Sequence, residues 1–199
     1  MLLPDAVDFE RADVRIAFGR IAEIGADLPS RDGETAVEAE GAFVSPGWMD
    51  LMADLGEPGY EHRETIASGA AAAAAGGYTA LLLDPGTDPP LHTRDAVEYV
   101  RLRAEREVVD VLPAGCLTKK REGRELAEMA DLVRGGAVAF SDGDHFLADA
   151  GLMRRALEYA RMLDKTVVVH PEDRGLAGSG LMHEGAASTR AGALGIPAV

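Results

Sequence analysis

From residue 46 onward, apolar runs of strand length alternate with helical segments, and the alternation repeats about every 25 to 35 residues. This repeat is typical of consecutive strand and helix units around a parallel sheet, because each crossover between parallel strands needs a long connection. The predicted strands are residues 48–53, 79–83, 108–114, 137–140 and 166–170. The predicted helices are residues 63–75, 93–107, 125–134 and 151–163, and Ala186 begins what resembles a further helix.

Residues 1–45 have a different pattern, with short alternating runs at residues 14–18, 21–24 and 42–44 and a turn at Gly19-Arg20 between the first two. The sequence therefore predicts two parts, a small β unit at 1–45 and a strand–helix repeat at 46–199. Five strands with four complete helices make about half of a (β/α)8 barrel of the TIM type, whose usual length is about 250 residues. We expect an α/β fold in which either residues beyond Val199 complete the barrel or the chain is a fragment.

Charge and composition exclude several classes of function. The 199 residues carry a formal net charge of -14, which repels nucleic acid and anionic membrane surfaces. The densest basic cluster, residues 119–121, is followed at once by acidic residues and predicts a solvated loop. The single cysteine, Cys116, excludes an internal disulfide and lies in an apolar segment that predicts burial. With no basic leader and no apolar run of membrane-spanning length, we expect a cytoplasmic protein without nucleic-acid or membrane partners.

The predicted strand ends carry motifs that resemble those of one enzyme family. Residues 44–66 resemble the first-strand motif of dihydroorotases, Pro-Gly-hydrophobic-Ile-Asp-x-His-x-His-x-Arg-Glu-Pro-Gly. Shorter matching runs follow in the family's order at residues 76–79, 84–90, 115–119, 140–143 and 170–173. The chain is therefore identified as similar to the dihydroorotase family of the amidohydrolase superfamily. This resemblance implies a TIM-type barrel with its chemistry at the carboxyl ends of the strands.

Four positions depart from the family pattern. The two histidines that bind catalytic zinc in the family fall at Met52 and Asp54, a soft thioether and a single carboxylate. The arginine that clamps the substrate carboxylate falls at Gly56, and the asparagine of the family's Met-Pro-Asn-Thr-Asn-Pro-Pro run falls at Gly86. Both changes remove polar contacts to the substrate. The resemblance and these departures together predict a chain that has lost its metal site and its substrate clamp.

Two family positions are retained, namely Asp142 at the metal-bridging aspartate and His170 at a histidine ligand. A structural interpretation has Asp142 capping a loop and His170 held by hydrogen bonds near Glu172. An alternative is an altered, weak metal site formed by Asp54, Asp142 and His170, since two carboxylates and an imidazole can hold a metal ion.

The leading functional hypothesis is a pseudoenzyme without a cofactor. The resemblance implies a place in pyrimidine biosynthesis as an oligomeric scaffold beside aspartate transcarbamoylase, because in several bacteria an inactive dihydroorotase-like chain holds that enzyme's assembly together. The alternative is an active zinc-dependent cyclic amidohydrolase with a rebuilt metal site. A third possibility is a relic that binds a small molecule at the strand ends.

Overall fold

A computed structural model describes residues 11–39 and 41–197. The first ten residues of the predicted β unit lie outside this range, and the expected absence of a leader sequence concerns those residues. The chain divides into two compact units, one ending at Gly47 and the other beginning at Trp48. None of the helices in the described part of the chain is long and apolar enough to cross a membrane.

The first unit contains a β-hairpin, and the second contains alternating strands and helices. The strands are β1 (Asp13–Ala17), β2 (Arg20–Gly25), β3 (Trp48–Ala53), β4 (Tyr78–Leu83), β5 (Asp110–Cys116), β6 (Ala139–Ser141), β7 (Thr166–Val167), β8 (Met182–His183) and β9 (Gly195–Ile196). The helices are α1 (Ile66–Ala75), α2 (Arg94–Ala104), α3 (Met129–Gly135), α4 (Ala150–Met162), α5 (Arg174–Ala177) and α6 (Ala186–Ala191), with a 3-10 turn at Lys119–Arg121.

Strands β3 to β7 form a parallel five-stranded sheet in sequence order. Helices follow β3 to β6 in turn, as the crossover between parallel neighbours requires. This curled sheet confirms the predicted half of a (β/α)8 barrel. A second, short parallel pair, β8 with β9, follows it.

Alternation along the central strands gives the sheet two apolar faces. Leu81 and Leu83 of β4 belong to the larger core cluster, which also contains buried residues of α1 to α4. Leu82, between them, belongs to a smaller cluster with Ala114 and Ala139 on the neighbouring strands. Because successive strand residues point to opposite faces, the helices cover one face and the smaller cluster fills the other.

Capping residues set the helix starts. Thr65 accepts a hydrogen bond from Ser68 N, and the Ser68 hydroxyl accepts one from Thr65 N, so α1 begins at Ile66 and not at the predicted residue 63. Thr93 caps α2, because its side-chain hydroxyl accepts a hydrogen bond from Ala96 N at the start of that helix.

Several predicted elements differ from the structure. The strand predicted at residues 42–44 is wrong, since the structure has irregular backbone there. The hairpin turn lies at Phe18-Gly19 and not at Gly19-Arg20, with positive φ at both residues, as a two-residue hairpin loop favours.

Three further helix and strand boundaries, nearer the carboxyl terminus, differ from the predicted ones. Helix α3 begins at Met129 because the backbone of residues 125–127 pairs with that of residues 117–119. Strand β7 is short because its partner β6 has only three residues, so the pairing ends before His170. Helix α6 begins at Ala186 as predicted but ends before Gly192, which adopts a left-handed conformation.

A buried glutamate fixes the loop between β3 and α1. Glu57 is 3% exposed and accepts hydrogen bonds from Ile66 N at the start of α1 and from Tyr99 and Arg103 of α2. Burial raises the pKa of Glu57, but these donors outweigh it and leave the pKa below its ordinary value. The loop that follows the first strand of the sheet is thus tied to two helices.

Candidate functional site

The carboxyl ends of β3 to β6 surround an open cleft of about 420 Å³. Chemistry in barrels of this type takes place at this end, because the loops that follow the strands converge there. The described residues that line the cleft are Asp54, Tyr60, Arg63, Asp84, Gly86, Arg121 and Asp144. Two of the residues singled out in the sequence, Asp54 and Gly86, therefore face the cleft.

Met52 and Asp54, at the positions of the family's two histidines, do not form a pair of metal ligands. Met52 lies within β3 and is half-buried, and Asp54 follows the strand and is exposed. One oxygen of Asp54 accepts a hydrogen bond from Gly56 N at 3.2 Å, in a turn of the kind that aspartate commonly forms with its own backbone. The carboxylate is used to shape the loop.

Gly56 adopts φ +67, a left-handed conformation that other residues rarely take. A Cβ atom at this position would lie 2.9 Å from the carbonyl oxygen of Tyr60 and 3.1 Å from that of Glu64. Both of these atoms belong to the backbone of the loop that Glu57 holds, so the loop has no room for a side chain at position 56. An arginine cannot stand there unless the loop changes shape.

Asp142 is 3% exposed and lies directly after β6. Thr118 donates to it twice, from its backbone N at 3.0 Å and from its hydroxyl at 2.5 Å. Burial raises the pKa of Asp142, and the two hydrogen bonds from Thr118 oppose that effect. Asp142 thus connects the ends of β5 and β6, where the sequence suggested a cap on a single loop.

The sequence analysis missed Asp84, which follows β4 and lines the cleft. Its Oδ1 accepts a hydrogen bond from Gly86 N at 2.6 Å, and burial raises the pKa of its carboxyl group. The signal was available in the sequence, because Asp84 takes the place of the methionine in the Met-Pro-Asn-Thr run.

Arg121 corrects the prediction that residues 119–121 all belong to a solvated loop. Lys119 does pair with Glu125 at 2.6 Å on the surface. The side chain of Arg121, however, is only 12% exposed, lines the cleft, and forms an ion pair with Asp144. Its Nε donates to the carbonyl oxygen of Asp142 at 2.9 Å.

His170 lies beyond the end of β7, and its side chain is 53% exposed. Its Nε2 is 3.2 Å from Glu172 Oε2, and the residue is not among the described residues that line the cleft. Cys116 is buried, as predicted, and burial raises the pKa of its thiol.

The donor set does not fit a catalytic zinc ion. Within residues 11–39 and 41–197, no group of three or more histidine, cysteine, aspartate or glutamate side chains is arranged to hold a metal. Zinc sites in proteins use mainly imidazole and thiolate ligands. The residues that line this cleft offer carboxylates, a phenol and two guanidinium groups.

The fold and the position of the cleft define a partial barrel of the amidohydrolase kind. The L-hydantoinase (dihydropyrimidinase) from Arthrobacter aurescens has the same fold, with a TM-score of 0.69 and 24% identity over 83% of this chain and 38% of that one. The family model described as Dihydro-orotase-like matches residues 41–199. This chain belongs to the dihydroorotase-like family.

Relatives in bacteria support the same assignment. The dihydroorotase of Pelotomaculum thermopropionicum is 44% identical over 195 residues, which cover 98% of this chain and 45% of the relative. The dihydroorotase of Thermoanaerobacter sp. (strain X514) is 43% identical over 187 residues, covering 94% of this chain and 43% of the relative. The chain therefore spans less than half the length of these relatives.

The contact between Thr118 and Asp142 yields a prediction about folding stability. Thr118→Val removes a donor to a buried carboxylate and also the acceptor for Gly123 N, and it should lower the free energy of unfolding at pH 7 by about 1 to 3 kcal/mol. The raised pKa of Asp142 means that the folded state favours the protonated form. Losing the donor raises that pKa further, so the deficit should shrink as pH falls and Asp142 becomes protonated.

Urea unfolding at several pH values measures this effect. Thr79→Val is a matched control, because Thr79 is exposed and its hydroxyl makes only a 3.4 Å contact with Trp48 O. Equal losses of unfolding free energy for the two variants would contradict the role given to the hydrogen bond between Thr118 and Asp142. A loss for Thr118→Val that does not depend on pH would contradict it as well.

Proposed function

We propose that this protein is a non-catalytic dihydroorotase-like chain of pyrimidine biosynthesis that serves as a scaffold for aspartate transcarbamoylase. The observation that carries the proposal is the conformation of Gly56. The loop around it leaves no space for the arginine with which the family binds its substrate. Catalysis by positioning requires that the substrate be held beside the reacting groups, and here the clamp is lost along with the metal ligands.

The contacts of the acidic side chains and of His170 at the strand ends support the absence of catalysis. Asp54 and Asp84 each accept a backbone hydrogen bond within their own loops, and Asp142 accepts two from Thr118. These carboxylates are engaged in holding the strand ends. His170, the imidazole that the family would use as a ligand, contacts Glu172 instead.

The partner is proposed from family resemblance. A barrel that keeps its fold without its ligands retains a large surface, and in several bacteria inactive dihydroorotase-like chains hold aspartate transcarbamoylase together. The alternative function, an active zinc-dependent cyclic amidohydrolase, would have to draw its ligands and its substrate clamp from residues other than those of this cleft.

We expect the full-length protein to show no hydrolysis of dihydroorotate and no synthesis from carbamoyl aspartate above the rate without enzyme, with added zinc, cobalt or manganese. Repair of the metal positions by Met52→His with Asp54→His should not restore activity, because position 56 still provides no clamp. A spectrophotometric assay of both directions checks these expectations. Turnover by the unaltered protein would support the alternative function, and turnover by the repaired variant alone would show that the clamp is dispensable.

Mixing the full-length protein with aspartate transcarbamoylase from the same source should give a larger complex on size-exclusion chromatography, with higher or more stable transcarbamoylase activity. His170→Ala should leave both effects intact, because this exposed side chain makes only its contact with Glu172. Asp142 is unsuitable for such a variant, since its buried carboxylate holds Thr118. An unrelated protein of similar size and net charge serves as the control.

Failure of the two proteins to elute together, with transcarbamoylase fully active alone, would contradict the scaffold role. Loss of the effect in a folded His170→Ala variant would indicate that the strand ends still hold a working site.

A further inference from the structure

The backbone that carries Arg121 is held in an uncommon conformation. Lys120 and Arg121 have φ values of 54 and 60, although neither is a glycine. Left-handed backbone at ordinary residues costs free energy and persists only where the surroundings compensate for it. Here the compensation comes from the arginine head group, which reaches Asp142 O and Asp144.

Two glycines leave the space that the guanidinium group of Arg121 occupies. A Cβ atom at Gly86 would overlap Arg121 Nη1 and lie 2.9 Å from Arg121 Cζ and 2.7 Å from Asp84 Oδ1. A Cβ atom at Gly143 would lie 2.7 Å from Arg121 Nη2 and 2.6 Å from Asp84 Oδ2. An arginine side chain can often rotate away from such an overlap. The Arg121 side chain is held by hydrogen bonds from Nε and from Nη2, and moving it would break both.

The charges around the guanidinium group are of the opposite sign. Asp84 and Asp142 are carboxylates whose pKa values are raised by burial and lowered by the charge of Arg121, and Asp144 pairs with it directly. A cation at this point compensates carboxylates that burial would otherwise make costly to ionise.

We propose that Arg121 is a built-in cation that occupies the strand-end cleft, and that position 86 is a glycine because the guanidinium group fills the space of a side chain there. The group lies between the carboxyl ends of β4 and β6, so it blocks a small molecule from the same volume. On this proposal, the replacement of the family's asparagine by Gly86 and the inward position of the Arg121 side chain depend on each other. This inference concerns the packing of the chain itself and is independent of the proposed scaffold role.

A double-mutant cycle tests the coupling between the two positions. Gly86→Ala adds only a Cβ atom, and Gly86 does not have a positive φ, so the change brings little backbone strain of its own. With Arg121 present, we expect Gly86→Ala to lower Tm by about 2 to 4 °C, because the new atom displaces the guanidinium group. In the Arg121→Ala background only the close approach to Asp84 Oδ1 remains, so the same change should lower Tm by less than about half as much.

Gly185→Ala is the matched control, because nothing lies within 4 Å of an added Cβ there, and its effect should be the same in both backgrounds. If Arg121→Ala alone does not fold, Arg121→Lys replaces it in the cycle, since lysine keeps the charge but cannot fill the planar space beside Gly86. Equal Tm losses for Gly86→Ala in the two backgrounds would overturn the proposal. Because the readout is thermal unfolding, its failure would leave the test with aspartate transcarbamoylase unaffected.

Discussion

The strand-end region depends on the buried carboxylate of Asp142 and on the donors that satisfy it. A carboxylate taken out of water destabilises a fold unless hydrogen bonds or opposite charges compensate. Thr118, which follows β5, supplies two donors, and Arg121 binds the carbonyl group of the same aspartate. These contacts fix the end of β6 relative to that of β5 and bring the side chain of Arg121 inward.

From this arrangement the rest of the cleft follows. With the guanidinium group in place, Asp84 has a cation near it and position 86 has no room for a side chain. On the other side, Glu57 ties the loop after β3 to α1 and α2, and Gly56 within that loop is equally closed to a side chain. At the two positions where the family resemblance places substrate-binding side chains, this chain has glycine, and the surrounding packing leaves no room for a larger residue.

Much of the fold could be predicted from hydrophobic periodicity, because all five strands of the sheet and the helices between them repeat regularly. The boundaries were less accurate where hydrogen bonds decide them, as at Thr65 and in the backbone pairing that delays α3. The strand predicted at residues 42–44 failed because apolar content alone does not determine where a segment joins a sheet.

The candidate site was only partly predictable. Family motifs located Asp54, Gly56, Gly86 and Asp142 at the strand ends, but they did not indicate what fills the space between them. Arg121 was missed because a basic residue beside acidic ones indicates a surface loop, and because ordinary residues seldom adopt positive φ. Asp84 was missed because it stands at a position to which the family motifs assign no contact with metal or substrate.

We propose that the protein's own donors and the cation of Arg121, rather than a metal ion, satisfy the acidic groups at the strand ends. The most direct measurement is the zinc content of the full-length protein, purified from cells grown with added zinc and analysed by mass spectrometry after dialysis. An active dihydroorotase treated in the same way serves as the reference. We predict zinc far below one ion per chain. Zinc at one or more ions per chain would contradict the claim.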